Sequence, residues 1–139
     1  MADLSAQLVD LGCSDVQTYL QSGNAVVTCD DKLARTLAIK LSEALATALG
    51  NAIHTLVLGA STLDAIIAGN PFPAAAAAPT TLHAFLLDGV MTTDADEQLR
   101  ALAAGAEKFV FGPSVLYLHA PDGIGRSRLA ARVEKRVGV

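Results

Sequence analysis

Five residues near the end of this 139-residue chain, Gly123, Gly125, Arg126, Ser127 and Arg128, have the types and spacing to hold an anion. They follow the apolar run Val115 to His119, which reads as a strand, and they open a helix whose first turn carries Arg126, Ser127 and Arg128. A loop feeding a helix N-terminus presents backbone N–H groups that have no intrahelical partner. Guanidinium groups beside them add charge-assisted donors for a phosphate or carboxylate. The Gly-x-Gly spacing matches neither a dinucleotide fingerprint nor a P-loop, so it suggests the charge of a ligand and not its identity. The plain alternative is a tight strand-to-helix turn with solvated arginines.

A second set surrounds Gly23. Gln21, Ser22 and Asn24 lie between two β-branched, apolar runs, Val16 to Leu20 and Ala25 to Cys29, where turn chemistry expects Gly23 and Asn24 at positive φ. A turn does not require Gln21 or Ser22, which keeps the set as candidate ligand contacts. Ser127, His119 and Asp122 can be written as nucleophile, base and orienting acid, but the Gly-x-Ser-x-Gly elbow is missing and no residue set names a reaction. His54, His83 and His119 fall on expected strands without i, i+4 pairing, so neither a metal nor a cofactor is implied. Cys13 and Cys29 form no CxxC and read as free thiols of a reducing compartment.

Composition narrows the field. At 52% hydrophobic and 17% charged the chain suits a packed domain or two small halves, not a disordered tail. Residues 1–124 hold 13 acids and 5 bases, a balance of −8, whereas residues 125–139 hold 5 bases and Glu134, a balance of +4. The net charge of −4 argues against a general nucleic-acid partner. Arg126, Arg128, Arg132, Lys135 and Arg136 read as a solvated face, since no paired exposed aromatics accompany them. Residues 65–87 carry no Asp, Glu, Lys or Arg, yet Gly69, Asn70, Pro71, Pro73 and Pro79 would break any helix spanning a bilayer. The expectation is a soluble cytoplasmic protein with no membrane partner.

The elements that must position these residues follow from periodicity. Leu4, Leu8 and Leu11 define a first helix stopped by Gly12; the two hairpin strands come next. Asp30 or Asp31 caps one long helix with Leu33, Leu37, Leu41, Leu45 and Leu49 on a face, ended by Gly50, and Ile53 to Leu58 is a strand. Ser61 to Asp64 resembles a capping box for a short helix carrying Leu63, Ile66 and Ile67, which Gly69-Asn70-Pro71 closes with Phe72 buried. Pro73 to Pro79 is a connector. Leu82 to Leu87 is a strand, Thr93 caps a helix with Leu99 and Leu102 inward, and Lys108 to Phe111 and Val115 to His119 form a hairpin through Gly112-Pro113-Ser114. The order is α-β-β-α-β, a connector with its own helix, then β-α-β-β-α. This is an α+β chain of two ferredoxin-like (βαββαβ) halves, 1–60 and 81–139, joined by 61–80, the first short of its opening strand and the second of its final strand.

Three stretches carry a family resemblance. Tyr19-Leu20-Gln21-Ser22-Gly23-Asn24-Ala25-Val26-Val27, Asn70-Pro71-Phe72-Pro73, and Leu116-Tyr117-Leu118 followed by Asp122-Gly123-Ile124-Gly125-Arg126-Ser127-Arg128-Leu129 resemble, in order, the internal signatures of the bacterial domain-of-unknown-function family 1697. The resemblance implies a fold and no activity, substrate or cofactor. Members of that family open with a Leu-Arg-Gly-Ile-Asn-Val-Gly-type strand and close with an Ala-Arg-Asn-Trp-type segment, neither of which stands in this sequence. The expected function is binding of a small phosphate-bearing anion at Asp122 to Arg128. The alternatives are a protein-interaction module, including self-association through an incomplete sheet, and an enzyme acting on the same anion.

Overall fold

Leu4, Leu8 and Leu11 recur at helical spacing because they bury one side of α1 (Ala2–Asp10). Gly12 ends that helix at φ +99, a conformation with little steric cost for glycine. The chain then forms the antiparallel hairpin of β1 (Ser14–Tyr19) and β2 (Asn24–Thr28). Asp30 caps α2 (Asp31–Ala34), its Oδ1 accepting from the Leu33 N–H at 2.7 Å. The expected single long helix is in fact two, because the backbone breaks at Arg35 and Thr36 before α3 (Leu37–Leu49) begins. Leu37, Leu41 and Leu45 are buried against Leu8 and Cys13, and Gly50 closes α3 at φ +75.

The computed structural model describes residues 2–19, 23–51, 53–87 and 93–136, which fall into two compact units, Met1–Leu58 and Gly59–Val139. One expectation for the first unit fails. Ile53 to Leu58 joins no sheet, although Val57 packs on the core and the Ser42 hydroxyl donates to the Ile53 carbonyl. An apolar, β-branched run has strand propensity, but a strand exists only where a neighbour supplies the ladder, and among the described residues β2 pairs with β1 alone. Among the described residues the first unit therefore has two strands and three helices, followed by an apolar segment that pairs with neither strand.

In the second unit the N-cap of α4 (Ala60–Ala68) is Gly59, two residues before the expected cap Ser61, which is already helical. Of its three large apolar residues only Ile66 is buried, while Leu63 and Ile67 face outward. The Pro/Ala stretch folds as two 3₁₀ turns, Pro73–Ala77 and Pro79–Thr81, with Ala75 buried. Then come β3 (Leu82–Leu86), α5 (Thr93–Arg100), β4 (Lys108–Gly112), β5 (Val115–His119) and α6 (Arg128–Arg136). The sheet is antiparallel in the order β3-β5-β4, the first-third-second arrangement of a ferredoxin-like half.

The central strand β5 is buried on both faces, and its period-2 alternation divides the core. Leu116 and Leu118 point to Leu99 of α5 and to Leu129 and Val133 of α6. Val115 and Tyr117 point the other way, to Ile66 and Phe72. The connector is thus part of the second unit's packing. Gly112, Pro113 and Ser114 turn β4 into β5, with Ser114 at φ +55 after a proline, as in a type II turn.

Candidate functional site

The loop after β5 is fixed from both ends. Ala120 is buried, and its N–H donates to the Thr81 carbonyl at 2.8 Å. Gly123 turns the chain at φ +90 and donates back to the Ala120 carbonyl at 2.9 Å. Ile124–Arg126 makes one 3₁₀ turn, with Ile124 against the core. Ser127 follows in extended conformation, φ −76 and ψ +113, and its N–H donates to the Ile124 carbonyl at 3.0 Å.

Ser127 is the N-cap of α6. Its Oγ accepts from the Ala130 N–H at 3.0 Å, and the residue is only 6% exposed. The sequence expectation placed Arg126 and Ser127 inside the first helical turn; the helix starts at Arg128, because a serine able to cap the turn relieves an orphan donor from outside it. Leu129, Ala130 and Val133 anchor the helix in the core. This leaves Arg126 and Arg128 exposed on either side of the cap, and neither has an ion-pair partner among the described residues.

Gly125 has no evident structural duty. Its φ is not positive, and a Cβ built there meets nothing within 4 Å. The backbone N–H groups of Arg128 and Leu129 lie in the first turn, where helix geometry supplies no acceptor. The Ser127 hydroxyl accepts from Ala130 and keeps a proton to donate. One opposing charge is nearby in sequence, the exposed Asp122. The arrangement offers several donors and two cations, which suits an anion. Ser127 and His119 make separate contacts: the Ser127 hydroxyl caps α6 and the His119 ring lies against Phe72, with no hydrogen bond between the two among the described residues.

For the hairpin set, Gly23 has φ +81 as expected. Asn24 does not share it: it opens β2 in register with Tyr19 and is a strand residue. Gln21 and Ser22 lie outside the described residues. No group of three His, Cys, Asp or Glu side chains could hold a metal among the described residues, and no helix there is long and apolar enough to cross a membrane.

Sequence reasoning missed one feature, an open cleft of about 480 Å³ lined by Phe72, Arg100, Glu107, Lys108, Phe109 and Val110. Arg100 lies over the Phe109 ring, 5.4 Å from its centroid, with Nε 2.8 Å from Asp96 Oδ2. The Asp96–Arg100 spacing on a helix was the only available signal. Phe72 comes from the connector, which local pattern could not assign to this sheet.

Comparison with known families gives one match, to the family described as Protein of unknown function (DUF1697), over residues 1–117. The chain belongs to that family. The matched residues run from α1 through most of β5 and stop before the glycine and arginine loop. No curated protein and no solved structure matches the chain.

Proposed function

We propose that this DUF1697 member binds a small phosphate-bearing anion at the loop Asp122 to Arg128. Arg126 and Arg128 would supply charge, with the Ser127 hydroxyl and the first-turn N–H groups of α6 as neutral donors. One observation carries the reading: two exposed arginines with no acidic partner among the described residues flank a capped helix start, beside a glycine that neither φ nor packing requires. Glycine at 125 keeps the loop surface open to a ligand approaching the backbone. A titration with inorganic phosphate followed by amide NMR tests the idea. The reading expects saturable shifts at residues 123–130 that weaken in Arg126→Ala and Arg128→Ala. Shifts scattered over the chain, or unchanged in both variants, would sink it. Gln21, Ser22 and Asn24 are proposed separately as ligand contacts of the first unit.

A second reading, a protein-interaction module, has an observation of its own. Along β4, Phe109 and Val110 point to opposite faces, yet both line the same cleft, so the cleft lies over the strand's unpaired edge. An extended peptide adding to β4 would find backbone partners there, an apolar contact at Phe72 and Val110, and the Lys108 ammonium, which has no ion-pair partner among the described residues. Its occupant would be a strand with a carboxylate opposite Lys108. The short peptide acetyl-Thr-Thr-Ile-Val-Glu-amide should shift the amides of residues 108–112, and N-methylation of its backbone should abolish the effect. Equal binding of the methylated peptide would rule this reading out.

A further inference from the structure

Cys13 and Cys29 are far apart in sequence, but the register of the first hairpin brings them level. Ser14 and Thr28 are paired across β1 and β2, so one step outward on each strand reaches Cys13 and Cys29. Both thiols face the same core: Cys13 is buried in it and Cys29 packs against it. A bulge makes this possible. Cys13 and Val16 are three positions apart, which in a regular strand would put them on opposite faces; the irregularity between Ser14 and Gln17, with Asp15 at φ +50, adds the residue that returns both to one face. Opposed residues of antiparallel strands have Cα atoms about 4.5–5.5 Å apart, within the roughly 4.4–6.8 Å span of a disulfide.

We propose that Cys13 and Cys29 form a reversible dithiol-disulfide site, a modification site whose oxidant is a small disulfide such as oxidised glutathione. Exposure sets the order of events. Cys29 is half-buried and reachable, whereas Cys13 is buried. Burial, and after it the neighbouring Cys29 thiol, push the Cys13 thiol up, which makes it the poorer first nucleophile. The Cys29 thiolate attacks one sulfur of oxidised glutathione, breaking its S–S bond and releasing one glutathione thiolate. Cys13 gives its proton to that thiolate or to water and attacks Cys29 Sγ, releasing the second glutathione. Two protein thiols are oxidised to one disulfide, and one oxidised glutathione is reduced to two thiols. The new bond ties the base of the β1–β2 hairpin and restricts the unfolded chain.

The test uses the whole folded chain in glutathione buffers of increasing oxidation, quenched with acid and analysed by mass and by thiol alkylation. Both thiols should disappear together, with a mass loss of about 2 Da for two hydrogen atoms, no dimer, and a higher melting temperature than the reduced form. In Cys13→Ser the reaction should stop at a glutathione adduct on Cys29. Dithiothreitol should restore both thiols in the wild type. A wild type that accumulates the Cys29 adduct, forms only intermolecular disulfides, or closes the bond only in denaturant would overturn the proposal.

Discussion

The Tyr117 hydroxyl donates a 2.7 Å hydrogen bond to the carbonyl of Ile66, joining the central strand of the second unit to the last turn of α4. That carbonyl is among the four a helix leaves without an intrahelical donor, so the phenol satisfies a group that would otherwise be buried and orphaned. Two glycines make room for the ring. A Cβ at Gly69 would lie 3.0 Å from the Tyr117 oxygen, and one at Gly112 would lie 3.1 Å from ring atom Cε2. Tyr117→Phe should destabilise the second unit by about 1–3 kcal/mol, because it removes the donor and keeps the burial. Urea unfolding, with β5 amide exchange as the local probe, measures it.

Gly23 and Gly125 should respond oppositely to a side chain. Both have open space where a Cβ would sit, but Gly23 has φ +81 and Gly125 does not have positive φ. Gly23→Val should cost more than about 1 kcal/mol from backbone conformation alone. Gly125→Ala should leave stability unchanged or raise it by roughly 0.5 kcal/mol, by narrowing the unfolded ensemble, while lowering the response to phosphate. Equal losses of stability in the two variants would show that Gly125 has a structural duty.

Capping and binding separate at the next two residues back from α6. Ser127→Ala should cost about 1 kcal/mol, the usual loss on removing an N-cap oxygen. Arg126 is exposed and has no ion-pair partner among the described residues, so Arg126→Ala should stay within roughly 0.5 kcal/mol of the wild type. Thermal melts of both variants without added anion make the comparison.

The periodic elements were legible because their cause is local. Leu37, Leu41 and Leu45 sit every four residues on one helical face, and Gly12, Gly23 and Gly50 occupy the positive φ that their turns require. What escaped sequence reading depends on partners distant in the chain. Ile53 to Leu58 has strand composition but no neighbouring strand, and Phe72 belongs to a sheet whose strands begin ten residues later. The break at Arg35 and Thr36 leaves the leucine spacing intact, so periodicity passed over it. Register is likewise invisible in composition: only the bulge at Asp15 brings Cys13 level with Cys29. At the candidate site the residue types were readable, whereas the cap at Ser127 moved the helix start to Arg128.

Cys13 also sets a pH dependence. Burial first, and Cys29 second, raise the folded thiol above its ordinary value of 9.0. The folded state therefore holds the proton more tightly than the unfolded state. The stability this contributes is fully present below about pH 9 and is lost as pH rises through the folded value. Melts of the reduced protein between neutral and strongly alkaline pH should fall more steeply for the wild type than for Cys13→Ala. Parallel curves would contradict the assignment.

Anion binding at the Asp122 to Arg128 loop is tested most directly by melting temperature against phosphate concentration. A ligand that binds only the native state stabilises it by about 2.7 kcal/mol at a hundredfold excess over its dissociation constant. Millimolar phosphate should raise the melting temperature of the wild type in a saturable way, and should do so markedly less in Arg126→Ala and in Arg128→Ala. An equal rise in all three proteins, or none in the wild type, would contradict the account.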